Sequence, residues 1–230
     1  MSRTLATMTR SSVGRTWHIV TFVVALSAVV LQLLVILGGA TVIDAATVIA
    51  PLPERIRRLF SYFTIQSNVL VAVATFLIIT GRMRTQWFRV IRLASLIGIT
   101  VTGVVAAVAL PPSPDYSTAN LICDRLLHIV VPVLAFVGWI AFGPRGFVTR
   151  RDLLPTLGWP VLWLVATLGL APLTHWYPYP FLNVDVLGWG SVLVNSAGIA
   201  LLFLLLAALA LWADRRLPGD RAREPESAVA

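Results

Sequence analysis

The chain has 230 residues, of which 58% are hydrophobic and only 12% charged, with a net charge of +8 and a mean hydropathy of +0.86. Soluble domains run at about 45–50% apolar and about 25% charged, so there is too little charge here to solvate a globule of this size. A soluble enzyme, a disordered chain and a disulfide scaffold are excluded, and an integral membrane protein is expected.

All eighteen basic residues are arginine. They lie between apolar runs, without the aromatic interleaving of a nucleic-acid groove, so no nucleic-acid partner is expected. Topogenic charge facing anionic lipid accounts for them. The single cysteine, Cys123, allows no internal disulfide and no cysteine metal cluster. Arginine without lysine, beside abundant alanine and valine, points to a GC-rich bacterial genome.

A membrane-crossing helix needs about 20 mostly apolar residues. In chain order the segments 17–37, 60–80, 90–110, 121–142, 153–171 and 189–212 qualify. The first exceeds the usual apolar stretch of a signal peptide and reads as a retained helix. The expected fold is therefore all-α: an integral membrane bundle of six transmembrane helices. A segment 1–16 precedes the bundle of 17–212, and a polar tail, 213–230, is expected to be disordered. Fourteen arginines flank one side of the predicted bundle, against Arg55, Arg57 and Arg58 on the other. The positive-inside rule then puts both termini in the cytoplasm of a bacterial plasma membrane.

Three arginines on the outer side lie just before the second predicted helix, in Pro51-Leu-Pro-Glu-Arg-Ile-Arg-Arg-Leu-Phe60. They read either as an interfacial amphipathic turn or as an anion clamp, with Arg58 at a pocket mouth. Polar residues inside spans are expensive, so their depth matters. Gln32, the group Thr64, Gln66, Ser67 and Asn68, the group Asp124, Arg125 and His128, and the group Ser191, Asn195 and Ser196 all fall near the outer ends of their helices. At a 1.5 Å rise per residue, Thr64 and His128 each lie roughly 6–11 Å below the outer end and share a layer. The inner halves of the same helices read as almost wholly apolar.

Ser61, Thr64, Ser67 and Asn68 fall on one helical stripe, as do Asp124, His128 and Pro132. Asp124 can then accept from His128 and fix its tautomer, as in a nucleophile–base–acid relay. The loop His175-Trp-Tyr-Pro-Tyr-Pro-Phe-Leu-Asn-Val-Asp185 is aromatic and stiff, suited to lie across the outer mouth with Tyr177 and Tyr179. The same residues also fit structural roles. Ser and Thr in membrane helices commonly bond their own i−4 carbonyl, and Gln32 or Asn195 can glue helices together. There is no Gly-x-Ser-x-Gly elbow and no His/Glu pair at zinc spacing, so no metal site and no cofactor is expected.

The run Tyr62-Phe-Thr-Ile-Gln-Ser-Asn-Val-Leu70 resembles the androgen-induced-gene family of multi-pass membrane proteins and their bacterial relatives. Leu127-His128-Ile-Val-Val-Pro132, Trp176-Tyr-Pro-Tyr-Pro-Phe181 and Asn195 follow in the family's order. The resemblance implies hydrolysis of fatty-acyl esters by a threonine and a histidine, at positions matching Thr64 and His128. The implied partners are membrane lipids and a lipid-like ester substrate. Asn68 or Asn195 could supply the oxyanion donor such chemistry requires. The alternatives are a non-catalytic transporter or lipid-binding protein using the same cavity, and a scaffold without chemistry.

Overall fold

The computed structural model describes residues 2–39, 50–83, 85–110, 117–146 and 148–217, with side chains from Ser12 onward. The described residues form helices and contain no strand. The long elements are α1 (Ser2–Leu37), α2 (Leu52–Ser61), α3 (Phe63–Ile79), α4 (Gln86–Ala109), α5 (Thr118–Arg125), α6 (Val131–Phe142), α7 (Leu153–Thr174) and α8 (Val184–Arg216). A π turn, Leu126–Val130, joins α5 to α6 without a break. Five helical stretches are long and apolar enough to cross a membrane, and six if the bent pair α2–α3 counts as one. The outward faces are correspondingly greasy, with Leu154, Leu162 and Val194 among the most exposed side chains. A multi-pass membrane protein accounts for that surface.

α4 is the central post, packing against α3, α6, α7 and α8. Its buried face is built from Leu93, Leu96, Ile97, Ile99 and Val101, with small residues where neighbours come closest. At Gly98 an added Cβ would sit 2.8 Å from the Trp159 ring and 3.1 Å from Ser67 Oγ. That gap admits Trp159, which stacks on Phe63 at 4.5 Å and donates from Nε1 to Gln66 Oε1 at 2.9 Å. Gly103 likewise lets α4 meet Pro132 and the His128 carbonyl.

The structure differs from the sequence reading, or adds to it, at four points. Ser61 does not share a stripe with Thr64, because Tyr62 adopts extended backbone (φ −67°, ψ 126°) and bends the chain by 68° between α2 and α3. Helix α1 begins at Ser2, so most of the segment 1–16 is helical. The first residues of the predicted tail continue α8 to Arg216, and 218–230 lie outside the described residues. The end of the bundle far from Thr64 also holds buried charge: Arg92, Arg145, Asp152 and Asp214. Arg145 folds back over the Trp139 ring, 3.9 Å from its centroid, and donates to the carbonyls of Trp139 and Ile140. Arg89 pairs with Asp152 at 3.0 Å, and Asp214 accepts from the Val148 amide at 3.0 Å. These contacts tie the segment between α6 and α7 to the ends of α4 and α8.

Filling the slot at Gly98 should therefore be costly. Gly98→Val is expected to displace Trp159 and destabilise the fold by about 1–3 kcal/mol, measured as a lowered unfolding temperature in detergent. Gly190→Val, at a position with open space around its Cα, serves as the tolerant control.

Candidate active site

The bend at Tyr62 sets the site. Phe63 and Thr64 become the first two residues of α3, so their amides have no intrahelical acceptor and the positive end of the helix dipole falls at Thr64. Thr64 N–H donates to the Tyr179 hydroxyl at 3.1 Å. Thr64 Oγ1 also lies 3.1 Å from that hydroxyl and 3.2 Å from His128 Nε2. Several other hydroxyls on the long helices follow the ordinary pattern: Thr21, Ser67, Thr75 and Thr100 each donate to the carbonyl four residues back. Thr64 departs from it.

His128 sits within the π turn, where Val131 N–H reaches back to Leu126 O and Pro132 has no amide proton to give. Its Nδ1 faces two acceptors, Asp124 Oδ1 at 2.9 Å and Asp124 O at 3.2 Å. A backbone carbonyl and an ionised carboxylate can only accept, so this geometry places a proton on Nδ1, and in the corresponding neutral tautomer the Nε2 lone pair turns toward Thr64 Oγ1. The order Asp124–His128–Thr64 is that of an acid–base–nucleophile relay. The side chains of His128 and Asp124 are 17% and 27% exposed, whereas Thr64 is buried at 6%.

On its other side Thr64 lines an apolar cavity of about 340 Å³ enclosed by α4, α7, α8 and the aromatic loop. Phe63, Val101, Trp163, Leu182 and Phe203 are among its walls, while His128 is not. Val161 on α7 and Leu204 on α8 line the cavity and are also 58% and 54% exposed on the outer surface. The cavity is thus partly open to the surface along α7 and α8.

The remaining candidates are placed as follows. Asn68 spends its amide on Thr64 O at 2.8 Å and Leu127 O at 3.3 Å, so it braces α3 against the π turn and has no proton aimed at Thr64 Oγ1. Asn195 donates to Phe181 O at 3.0 Å and staples the aromatic loop to α8. Neither suits the oxyanion role. Arg58 pairs with Glu54 at 2.7 Å and lies over the Trp176 ring with Arg57, outside the cavity wall. Arg55 donates to Ile36 O at 2.6 Å, closing the end of α1. The three arginines hold α2 in place, which the sequence left open between anchor and clamp. Tyr177 donates to Asp185 at 3.1 Å and, with His175, closes the loop onto the first turn of α8.

Tyr179 departs most from expectation. It is 6% exposed and sits inside the site, not at its mouth. Its ring stacks on Phe181 at 5.2 Å and meets Tyr62 edge-on at 5.8 Å. Burial pushes its phenol above the ordinary value of 10.0, only partly opposed by the hydrogen bonds to Thr64, so it remains protonated at neutral pH. Sequence reasoning found the loop but could not find this contact across 115 residues. No group of three metal-binding side chains occurs among the described residues.

Comparison with protein-family models, curated proteins and solved structures finds no match for the chain.

The tautomer is directly testable. Ring nitrogen NMR of labelled His128 is expected to show the Nδ1-protonated form in the wild type and a mixture of tautomers in Asp124→Ala. An unchanged spectrum would remove Asp124 from the relay.

Proposed function

We propose that this chain is a multi-pass membrane hydrolase of lipid acyl esters, with Thr64 as nucleophile and His128, oriented by Asp124, as its base. One observation carries the reading: a buried threonine hydroxyl lies between a histidine nitrogen at 3.2 Å and an apolar cavity of about 340 Å³. A threonine hydroxyl is a weak nucleophile until a base takes its proton, and Nε2 is within reach to do so. The resemblance to the androgen-induced-gene family leads to the same two residues.

The steps follow from the positions. Thr64 Oγ1 bonds to the ester carbonyl carbon while its proton passes to His128 Nε2 and the carbonyl π electrons move onto oxygen. Collapse re-forms the carbonyl and breaks the bond to the leaving alcohol, which takes the proton from Nε2. Water then bonds to the acyl carbon as its proton passes to the same nitrogen, and collapse breaks the bond to Thr64 Oγ1, which takes that proton back as the fatty acid leaves. The acyl chain occupies the cavity, entering sideways from the bilayer between α7 and α8.

Thr64→Ala, His128→Ala and the double variant are each expected to lose about 10²–10⁴-fold in turnover of a long-chain fluorogenic ester. Because the two residues act as one unit, the double variant should be no slower than the singles. A fluorophosphonate probe should label the wild type and not Thr64→Ala. Binding of the ester without turnover or labelling, on an intact fold, would instead make the chain a lipid-binding protein.

The same reading takes six spans with both termini cytoplasmic, supported by the arginine asymmetry and by treating α2–α3 as one bent span. Reporters inserted in the loop following Thr174 should then read as external, and those at Arg82 as internal. The opposite pattern would invert the site to the cytoplasmic leaflet. The loop 111–120, expected outside, lies mostly beyond the described residues.

A further inference from the structure

We infer that Tyr179 is the oxyanion donor of this site, a catalytic residue acting through its phenol on the carbonyl oxygen of the bound ester. The inference rests on the hydrolase reading above. It starts from counting protons. Thr64 N–H can only donate, so Tyr179 Oη accepts from it at 3.1 Å. Thr64 Oγ1 gives its single proton to His128 Nε2, whose other nitrogen is committed to Asp124. The contact of 3.1 Å between the two hydroxyls then has one remaining proton available, that of Tyr179. It points at the nucleophilic oxygen.

That direction matters once the reaction begins. The carbonyl oxygen of the attacked ester is bonded to the same carbon as Thr64 Oγ1, so a donor aimed at Oγ1 needs only a hydroxyl rotation to meet it. Tyr179 also lines the cavity, as Thr64 does and His128 does not. The phenol therefore faces the substrate while the base approaches from behind. As negative charge grows on the carbonyl oxygen, Tyr179 O–H donates to it without losing its proton, and the first turn of α3 places the positive helix end beside both.

The side-chain amides that could compete for this role are otherwise engaged. The amide of Asn68 is held by two carbonyls, that of Asn195 by Phe181 O, and that of Gln66 by Phe60 O. Tyr179 is also well fixed: it stacks on Phe181, whose carbonyl is stapled by Asn195, and its hydroxyl is pinned by the Thr64 amide. A donor held this way costs little reorganisation at the moment of reaction.

The test is steady-state hydrolysis of a long-chain fluorogenic ester by the full chain in lipid nanodiscs, comparing wild type, Thr64→Ala and Tyr179→Phe. Tyr179→Phe keeps the ring and removes only the hydroxyl. It is expected to lower kcat by about 10²–10³-fold with KM changed by less than about threefold, and to lower the unfolding temperature by a few degrees because the Thr64 amide loses its acceptor. A Tyr179→Phe kcat within threefold of an active, Thr64-dependent wild type would overturn the oxyanion role and leave the hydrolase reading standing. A wild type no faster than Thr64→Ala would overturn both. If Tyr179→Phe does not fold, 3-fluorotyrosine at position 179 replaces it. Its more acidic phenol should raise kcat severalfold without moving KM, and an unchanged kcat would reduce Tyr179 to packing.

Discussion

A backbone amide cannot be left without an acceptor in an apolar interior, and breaking a helix there strands several at once. Tyr62 breaks the path from α2 to α3, and the stranded Thr64 amide is met by a side chain from the other end of the chain, Tyr179. Much of the architecture near Thr64 follows from that hydrogen bond. For the phenol to reach Thr64, the loop before α8 must fold inward, and it does so as a short turn, Pro180–Leu182, stapled by Asn195. Trp176 comes with it and packs edge-on against Tyr62 at 5.6 Å. The charged face of α2 then settles on Trp176, with Glu54 paired to both Arg57 and Arg58. A polar shortage at one amide thus recruits an aromatic cluster and orients an otherwise amphipathic helix.

The opposite end of the bundle solves a similar problem with charge. Arg145 and Asp214 are both 2% exposed, and each satisfies a backbone group of a neighbouring segment. Buried charges held this way add little net stability, but removing one partner is costly, so they favour one arrangement over its rivals. Their effect is to hold the ends of α4 and α8 in register. Since α4 carries Gly98 and Gly103, its placement decides how closely Trp159 and the π turn approach α3. The geometry at Thr64 is set in part from the far end.

The helical spans were legible because length and hydropathy leave few alternatives once charge is this scarce. Thr64 and His128 were legible as a pair because helical rise fixes depth, and depth narrows partners. Asp124 followed from i, i+4 spacing, which survives the π turn. The break at Tyr62 was not legible: it carries neither proline nor glycine, and nothing local distinguishes it from a continuous span. Asn68 and Asn195 were plausible donors on sequence, but asparagine amides near helix breaks and loop carbonyls are readily consumed by them, as both are here. The buried charges escaped notice because Arg145 reads as a loop residue until the loop folds back. Tyr179 was assigned to the right loop and the wrong depth, for its partner lies on a helix far away in sequence.

The two sides of Thr64 differ in a way that bears on the hydrolysis proposed for it. Toward the cavity everything is apolar except Thr64, Tyr179 and hydroxyls on α4 and α8. Toward Asp124 and His128 the side chains are partly exposed, and Arg125 beside them is exposed. An acyl chain and a water molecule would therefore arrive by different routes, the first sideways from between α7 and α8, the second along the exposed edge of the π turn. Attack by threonine needs dry surroundings, which strengthen each hydrogen bond to the developing charge. Release of the acyl group needs water at the base. In the proposed reaction, a nucleophile at the boundary between the two would let one histidine serve both steps, taking the threonine proton first and the water proton second. On this view the bend at Tyr62 also puts Thr64 where lipid and water can each reach it from one side.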